Sequence, residues 1–279
     1  MVALQESHGI EWRQTATVDV QPTPSGLNTD QKVALFRRLF RGRTDLYPVR
    51  WESKAGKTGY APACANEWRA GICEKPRIKC SDCGHRSLIA LTDRTIFDHL
   101  AGRHTTGVYP LLTDDTCNFL AVDFDDAEWR EDAKGFAQSC RELGVPVALE
   151  VSRSGEGAHA RVFFSTSVSA RDARRLGTAL ISFTCARTRQ LKLTSYDRLF
   201  PSQDTLPKGG FGNLIALPLQ KLPREQGRSV FVDAALQAFS DQWAYLTSIE
   251  VMGAPQTLEV TPRFLSTAIV VQPGRRQLS

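Results

Sequence analysis

The sequence predicts an α+β fold built on a sheet with helices on one face, a ferredoxin-like or RRM-like core. Three features lead there. Between residues 107 and 219 the patterned segments run strand, helix, strand, tight turn, strand, helix, strand, an order that suits such a sheet. The chain has 279 residues, 42% hydrophobic and 23% charged, enough for one large domain or two coupled ones. Four of the seven cysteines gather in a loop-rich stretch ahead of that core, where apolar burial alone would not fix the chain.

Taken in order, residues 1–27 carry few apolar side chains and end in PTPSGL, so they read as a flexible N-terminal arm. Residues 28–112 form an N-terminal module. Its first helix runs from Thr29 to Arg41, with Val33, Phe36, Leu39 and Phe40 on one face and Gly42 as the stop. Residues 44–92 are rich in glycine, proline and cations and read as a loop-rich insert. A short helix follows from Asp93 to Arg103, bringing Ile96, Phe97 and Leu100 together.

Residues 113–250 form the core. VYPLL, just before it, and CNFLAVDF read as strands, and Glu128–Leu143 as a helix closed by Gly144 and Pro146. VALEVS and ARVFFS are strands joined by SRSGEGA. Ser169–Arg187 is a helix opened by Ser169 and Asp172, a variant of the capping box. FGNLIALPL reads as a further strand and Asp241–Ile249 as a last helix. Residues 251–279 are a poorly patterned tail.

No stretch has the length of apolar residues a membrane span needs, and the N-terminus has no secretory pattern, so a cytoplasmic protein with no membrane partner is expected. The net charge of +5 permits a nucleic-acid or nucleotide partner without requiring one.

The chemistry concentrates in CNFLAVDFDDAEW. Asp123 and Asp125 are two apart on a strand and would project together, with Phe124 turned into the core. Carboxylates held that close repel unless a cation lies between them, and hard oxygen donors suit Mg²⁺ or Mn²⁺. The bland alternative is a strand running into an acidic turn, since Asp126 follows directly. Two further stretches can join the pair. In SRSGEGAH, Gly155 and Gly157 allow backbone to approach an anion, and Ser154 and His159 can donate to a triphosphate. In SYDRLFPSQDTLPKGGFGNLIALPL, Asp197 is a candidate third carboxylate, and Lys208 beside Gly209 and Gly210 suits phosphate. A plain hairpin and a surface loop are the alternatives.

Cys64, Cys73, Cys80 and Cys83 are spaced C-x8-C-x6-C-x2-C. The KCSDC knuckle can fill two tetrahedral positions and the other two thiols the rest of a structural Zn²⁺ site, the alternatives being free thiols, a disulfide or an iron–sulfur site. His85, or His99 with His104, are spare ligands, while Cys117, Cys140 and Cys185 sit in apolar patterns and read as core. Cations interleaved with Trp51, Tyr60 and Trp68 around the cluster suit a single strand's backbone and bases, or are simply a solvated face.

The blocks CANEW, CEKPR, KCSDC, GVYPLL, FLAVDFD, SRSGEGAH, SYDRLFPSQD and KGGFGNLIALPLQ occur in this order. Together they resemble the primase-polymerase domain of TOTE conflict systems, within the archaeo-eukaryotic primases, across about residues 30–250. CRISPR-associated primase-polymerases are related, and bacterial end-joining ligases more distantly. The resemblance implies the archaeo-eukaryotic primase fold, with Asp123, Asp125 and Asp197 as catalytic ligands of two metals. It implies nucleotide contacts from Ser154, Gly155, Gly157 and His159, with Gln203 and Lys208 near nucleotide or template. It departs at one point: a bulky aromatic is expected two residues after the histidine, as in H-V-W, and here Ala160 and Arg161 follow. Arg161 either reaches phosphate or template, or is exposed and inert.

The expected function is therefore a monomeric, template-dependent primase-polymerase using nucleoside triphosphates, a single-stranded DNA template and a primer. A helicase or a defence or mobile-element partner is expected beside it. The competing readings are a metal-dependent nuclease or phosphohydrolase and a non-catalytic, zinc-stabilised single-strand-binding module.

Overall fold

A computed structural model of the chain describes residues 24–188 and 199–253. Helix α1 (Thr29–Leu39) is opened by a capping box: Asn28 Oδ1 accepts from Gln31 N at 2.9 Å, and Gln31 Oε1 accepts from Asn28 N at 2.9 Å. Val33, Leu35, Phe36 and Leu39 are its buried stripe. The helix ends two residues before the expected Arg41, and Gly42 has a role beyond stopping it. A Cβ there would lie 2.3 Å from Val108 Cγ2 and 2.5 Å from the Tyr109 carbonyl oxygen, so glycine lets two chain segments touch.

Part of the loop-rich insert is in fact a hairpin. Strands β1 (Pro48–Glu52) and β2 (Thr58–Pro62) pair antiparallel, and Gly56 at φ +75° turns the chain between them. Helix α2 (Asp93–Leu100) is capped by Thr92, whose side chain accepts from Thr95 N at 3.2 Å. It stops three residues before Arg103 because Gly102, at φ +85°, reverses the chain.

His99 on α2 is fully buried and spends both nitrogens on backbone. Nε2–H donates to the Pro218 carbonyl at 2.8 Å, and Nδ1 accepts from Thr106 N at 3.2 Å. This staples α2 to the segments around β3 (Gly107–Val108) and β8 (Ile215–Ala216), which pair with each other. The longer strands expected from VYPLL and FGNLIALPL are cut to two residues each. Pro110 and Pro218 cannot donate to a ladder, although Tyr109, Leu111, Leu217 and Leu219 are all buried.

The main sheet has five strands, all neighbours antiparallel, in the order β7-β4-β6-β5-β9. They are β4 (Thr116–Phe124), β5 (Ala148–Val151), β6 (Ala158–Ser169), β7 (Leu199–Phe200) and β9 (Val230–Val232). Helices α3 (Trp129–Glu142) and α4 (Ala170–Thr188) cover one face. Phe124 packs 5.6 Å from Phe136 of α3, and Gly177 of α4 sits directly on Leu120 and Leu199. The start signal read at Ser169 is made: Ser169 Oγ accepts from Asp172 N at 3.1 Å and donates to Asp172 Oδ2 at 2.7 Å.

The opposite face carries Phe119, Ala121 and Asp123 from β4 beside Arg161 and Phe163 from β6. Phe40, at the end of α1, meets Phe163 edge-on at 5.5 Å and Phe231 of β9 at 6.2 Å. Two short helices are the last among the described residues, α5 (Lys221–Glu225) and α6 (Gln242–Ser248), the latter capped by Asp241 and packed on α1 through Trp243 and Phe36. Each fully buried ring in this core contributes roughly 1.5–3 kcal/mol. No helix among the described residues is long and apolar enough to cross a membrane.

Burial is the main force on His99, lowering its pKa from 6.5 to about 4 against the opposing pull of the Pro218 carbonyl. On acidification the unfolded histidine takes up a proton that the folded one refuses. Stability should therefore fall by up to roughly 3 kcal/mol as pH drops from about 6.5 to about 4. Thermal melts of wild-type and His99→Gln protein across this window check it: the variant should lose that slope.

Candidate active site

Asp123 is half-buried near the end of β4, and Asp125 is exposed as the first residue after Phe124 leaves the ladder. Phe124 faces the core, as its place between two aspartates predicts. The antiparallel register puts His159 of β6 directly across from Asp123, and His159 Nε2 lies 3.5 Å from Asp123 Oδ1.

The turn from Ser152 to Gly157 that joins β5 to β6 is held by its own backbone. Ser152 N donates to Gly157 O at 2.8 Å and Gly155 N to Ser152 O at 3.0 Å. Ser154 Oγ lies 2.9 Å from Ser152 Oγ and accepts from Glu156 N at 3.2 Å. Gly155 has φ +81°. Gly157 has a different reason to be glycine: a Cβ there would lie 2.6 Å from Phe124 O and 3.4 Å from Asp125 Cα. The acidic pair and the glycine turn thus meet backbone to backbone.

Beneath them lie Glu150, which sequence reasoning did not single out, and Arg161. Glu150 of β5 is 1% exposed and Arg161 of β6 is 0% exposed. One carboxylate oxygen, Glu150 Oε2, accepts from Arg161 Nε at 3.0 Å and Arg161 Nη2 at 2.8 Å, and lies 3.2 Å from His159 Nδ1. Arg161 Nη2 also donates to Ala216 O on β8 at 3.1 Å, and its guanidinium stands 5.4 Å from the Phe40 ring and 5.7 Å from Phe119. Burial pushes the Glu150 carboxyl up, but the charges of Arg161 and His159 and their hydrogen bonds outweigh it and hold its pKa below the usual value.

Arg161 therefore corrects both expectations set for it. It is neither exposed nor turned to a ligand, because a buried cation needs a partner and Glu150 supplies one. The signal was present: VALEVS and AHARVFFS are apolar runs each broken by one charge. Counting outward from the turn sets Glu150 opposite His159.

On the far side of the turn a cavity of about 300 Å³ is lined by Ser154, Gly155, Arg130 and Arg228, among others. The Arg228 side chain lies across Gly155, where a Cβ would come within 3.1 Å of its Cδ. Gln203 and Lys208 are exposed on the segment after β7. Among the described residues no hydrogen bond or ion pair brings them to Asp123 or His159. Arg86 of the cysteine insert donates to Gly209 O at 3.1 Å and lies over the Phe211 ring at 5.2 Å, tying the insert to the Lys208 loop. Asp197 lies outside the described residues. Leu199, two residues on, pairs with Val122, the neighbour of Asp123.

Cys64, Cys73, Cys80 and Cys83 all line one cavity of about 20 Å³, with His85 on its wall. Ser87 N donates to Cys64 Sγ at 3.3 Å. Among the described residues, however, no three His, Cys, Asp or Glu side chains converge closely enough to hold a metal ion as they stand. His99 is excluded as a spare ligand because both its nitrogens are engaged. Cys117 and Cys140 are buried core residues, as read, and Cys185 is half-buried at the edge of the core.

A family model described as the TOTE conflict system archaeo-eukaryotic primase domain matches residues 31–260. No curated protein matches. Among solved structures, the chain is similar to the polymerase domain of Mycobacterium tuberculosis ligase D in complex with DNA, at 14% identity and TM-score 0.41, over 87% of this chain and 89% of that one. It is also similar to the archaeo-eukaryotic primase domain of the cyanophage S-2L primase-polymerase, at 15% identity and TM-score 0.36, over 83% and 97%.

Breaking a buried ion pair leaves a charge with no counter-ion. Arg161→Met or Glu150→Leu alone should cost about 3–5 kcal/mol in urea unfolding. A loss within about 1 kcal/mol, the range of an exposed pair, would mean the pair is not buried in solution.

Proposed function

Because the chain belongs to the TOTE conflict system archaeo-eukaryotic primase domain family, we propose that it is a template-dependent primase-polymerase that makes RNA or DNA primers and extends them on single-stranded DNA. Family membership supports a nucleotidyltransferase of the primase-polymerase kind. One observation carries the finer reading: the β4–β6 register faces Asp123 with His159 while Gly157 brings the anion-suited turn against Asp125. Carboxylates for cations and donors for phosphate then adjoin, as joining a 3′-hydroxyl to a nucleoside triphosphate requires.

Asp123, Asp125 and Asp197 offer only hard oxygens, the donor set that suits Mg²⁺ or Mn²⁺. Such ions, when bound, would neutralise charge on the attacking 3′-oxygen and the leaving pyrophosphate oxygen as the α-phosphorus changes partners. The remaining work falls to the chain's own donors. His159 presents Nε2 on the Asp123 side; when the ring carries hydrogen on both nitrogens, Nε2–H can donate to the triphosphate while Nδ1–H stays with Glu150. Ser154 and the amides of the glycine turn add neutral donors, and Arg130 and Arg228 add charge at the cavity beyond. Lys208 and Gln203 act on nucleotide or template from their exposed loop.

The template strand has aromatic surface available on the N-terminal module. Trp51 is 45% and Trp68 is 68% exposed, and Lys75 Nζ stands 5.7 Å from the Trp68 ring. Exposed indoles beside cations suit unpaired bases and their phosphates. The four cysteines line one cavity and are the donor type a structural Zn²⁺ takes, but no three of them converge as they stand, so binding zinc would require them to draw together.

Primer synthesis on a defined single-stranded template with Mn²⁺ and each nucleotide type tests the activity. Extension should occur, and Asp123→Asn with Asp125→Asn should lower it roughly 10²–10³-fold while strand binding persists. Shortened template without extension would favour the nuclease reading, and unchanged activity in the double variant would sink the site assignment. Elemental analysis should find one zinc per chain, lost in Cys80→Ser with Cys83→Ser along with several degrees of melting temperature. Zinc-free wild-type protein of full stability would remove the metal from the account.

A further inference from the structure

We propose that Glu150 and Arg161 are positioning residues of the nucleotide site: they fix the orientation of the His159 ring so that Nε2, and not Nδ1, is the nitrogen presented beside Asp123. The inference rests on the reading above only in taking the triphosphate as the ligand His159 meets.

Glu150 Oε2 collects three donors, two from Arg161 and one from His159. An arginine keeps its proton, so its fork keeps Glu150 ionised, and an ionised carboxylate can only accept. The His159 nitrogen facing it must therefore carry hydrogen. That assigns Nδ1–H to Glu150 and leaves Nε2 for the side of Asp123, 3.5 Å away. The acceptor itself cannot wander. Arg161 is pinned by Ala216 O at 3.1 Å and flanked by the rings of Phe40 and Phe119. Elements far apart in sequence, α1's end, β4, β5, β6 and β8, thus determine the rotation of one imidazole.

Stability alone is a poor reason for this arrangement. A buried ion pair often gains little over apolar residues of the same size. Arg161 Nη1 is, moreover, buried with no hydrogen-bond partner, a cost that a pair serving only stability would not carry. What the charges supply that leucine and methionine cannot is a directional acceptor for Nδ1–H.

The test removes both charges at once, which avoids the stranded ion that destabilises either single variant. Glu150→Leu with Arg161→Met should melt within a few degrees of wild type and bind single-stranded DNA as tightly. It should raise KM for the incoming nucleotide roughly tenfold with kcat changed much less. In ¹⁵N-histidine spectra of the full chain, with His159→Gln used to assign the signal, wild type should show a protonated Nδ1 on His159. The double variant should lose that fixed Nδ1–H signal. Glu150→Asp, which keeps the charge balance but withdraws the acceptor by one methylene, serves if the double variant does not fold and should raise KM in the same sense.

A folded variant with wild-type KM and an unchanged His159 signal overturns the proposal. Since the spectra need neither metal nor turnover, a failure of the polymerase assay would not be mistaken for a failure of this coupling.

Discussion

The pairing of β4 with β6 is the constraint on which the site depends. It sets Asp123 against His159 and Ala121 against Arg161. Side chains on a strand alternate with a period of two, so a slip of one residue would turn Arg161 into the layer under α3 and α4 and send Val162 to the other face. The register is held from both sides. Ala158, Ala160, Val162 and Phe164 bury against the helices, and on the reverse face Arg161 pairs with the buried Glu150, Phe163 packing beyond it. An error in register would therefore cost apolar burial and a stranded charge together. The same pairing that folds the sheet assembles the chemistry.

Backbone contact then does for the turn what the register does for the strands. With a side chain at residue 157, Phe124 O and the chain at Asp125 would have to move aside. Glycine keeps the two segments in contact, so a displacement of the turn is passed directly to the second aspartate. Gly155 differs: its positive φ shapes the turn, while the space a Cβ would enter is bounded by the flexible Arg228 side chain. Two glycines two residues apart thus answer to different constraints, one steric contact with backbone and one conformation.

What was legible in the sequence was local. Helix α1 shows in the spacing of Val33, Phe36 and Leu39, and α4 in the Ser169–Asp172 cap, because each depends on residues within one or two turns. The aspartates and the glycine turn are contiguous motifs: Asp123 stands on β4 as read, while Asp125 falls just past the strand's end at Phe124 rather than beside it on the ladder. The pairing of Glu150 with Arg161 was not read, since it exists only once two strands are aligned around the turn. The β1–β2 hairpin was hidden by its composition: lysines, glycines and a proline mask the alternation, and Trp51 remains exposed. Strands β3 and β8 were overread because buried apolar runs look like strands even where prolines end the ladder.

The N-terminal module is more than a platform beside this site. Phe40 at the end of α1 packs on Phe163 and Phe231 and stands over the Arg161 guanidinium. His99 on α2 holds the Pro218 carbonyl, two residues after the Ala216 carbonyl that anchors Arg161. Arg86, from the cysteine insert, holds Gly209 next to Lys208. Three separate segments of the module thus reach the layer behind His159 or the loop beyond it.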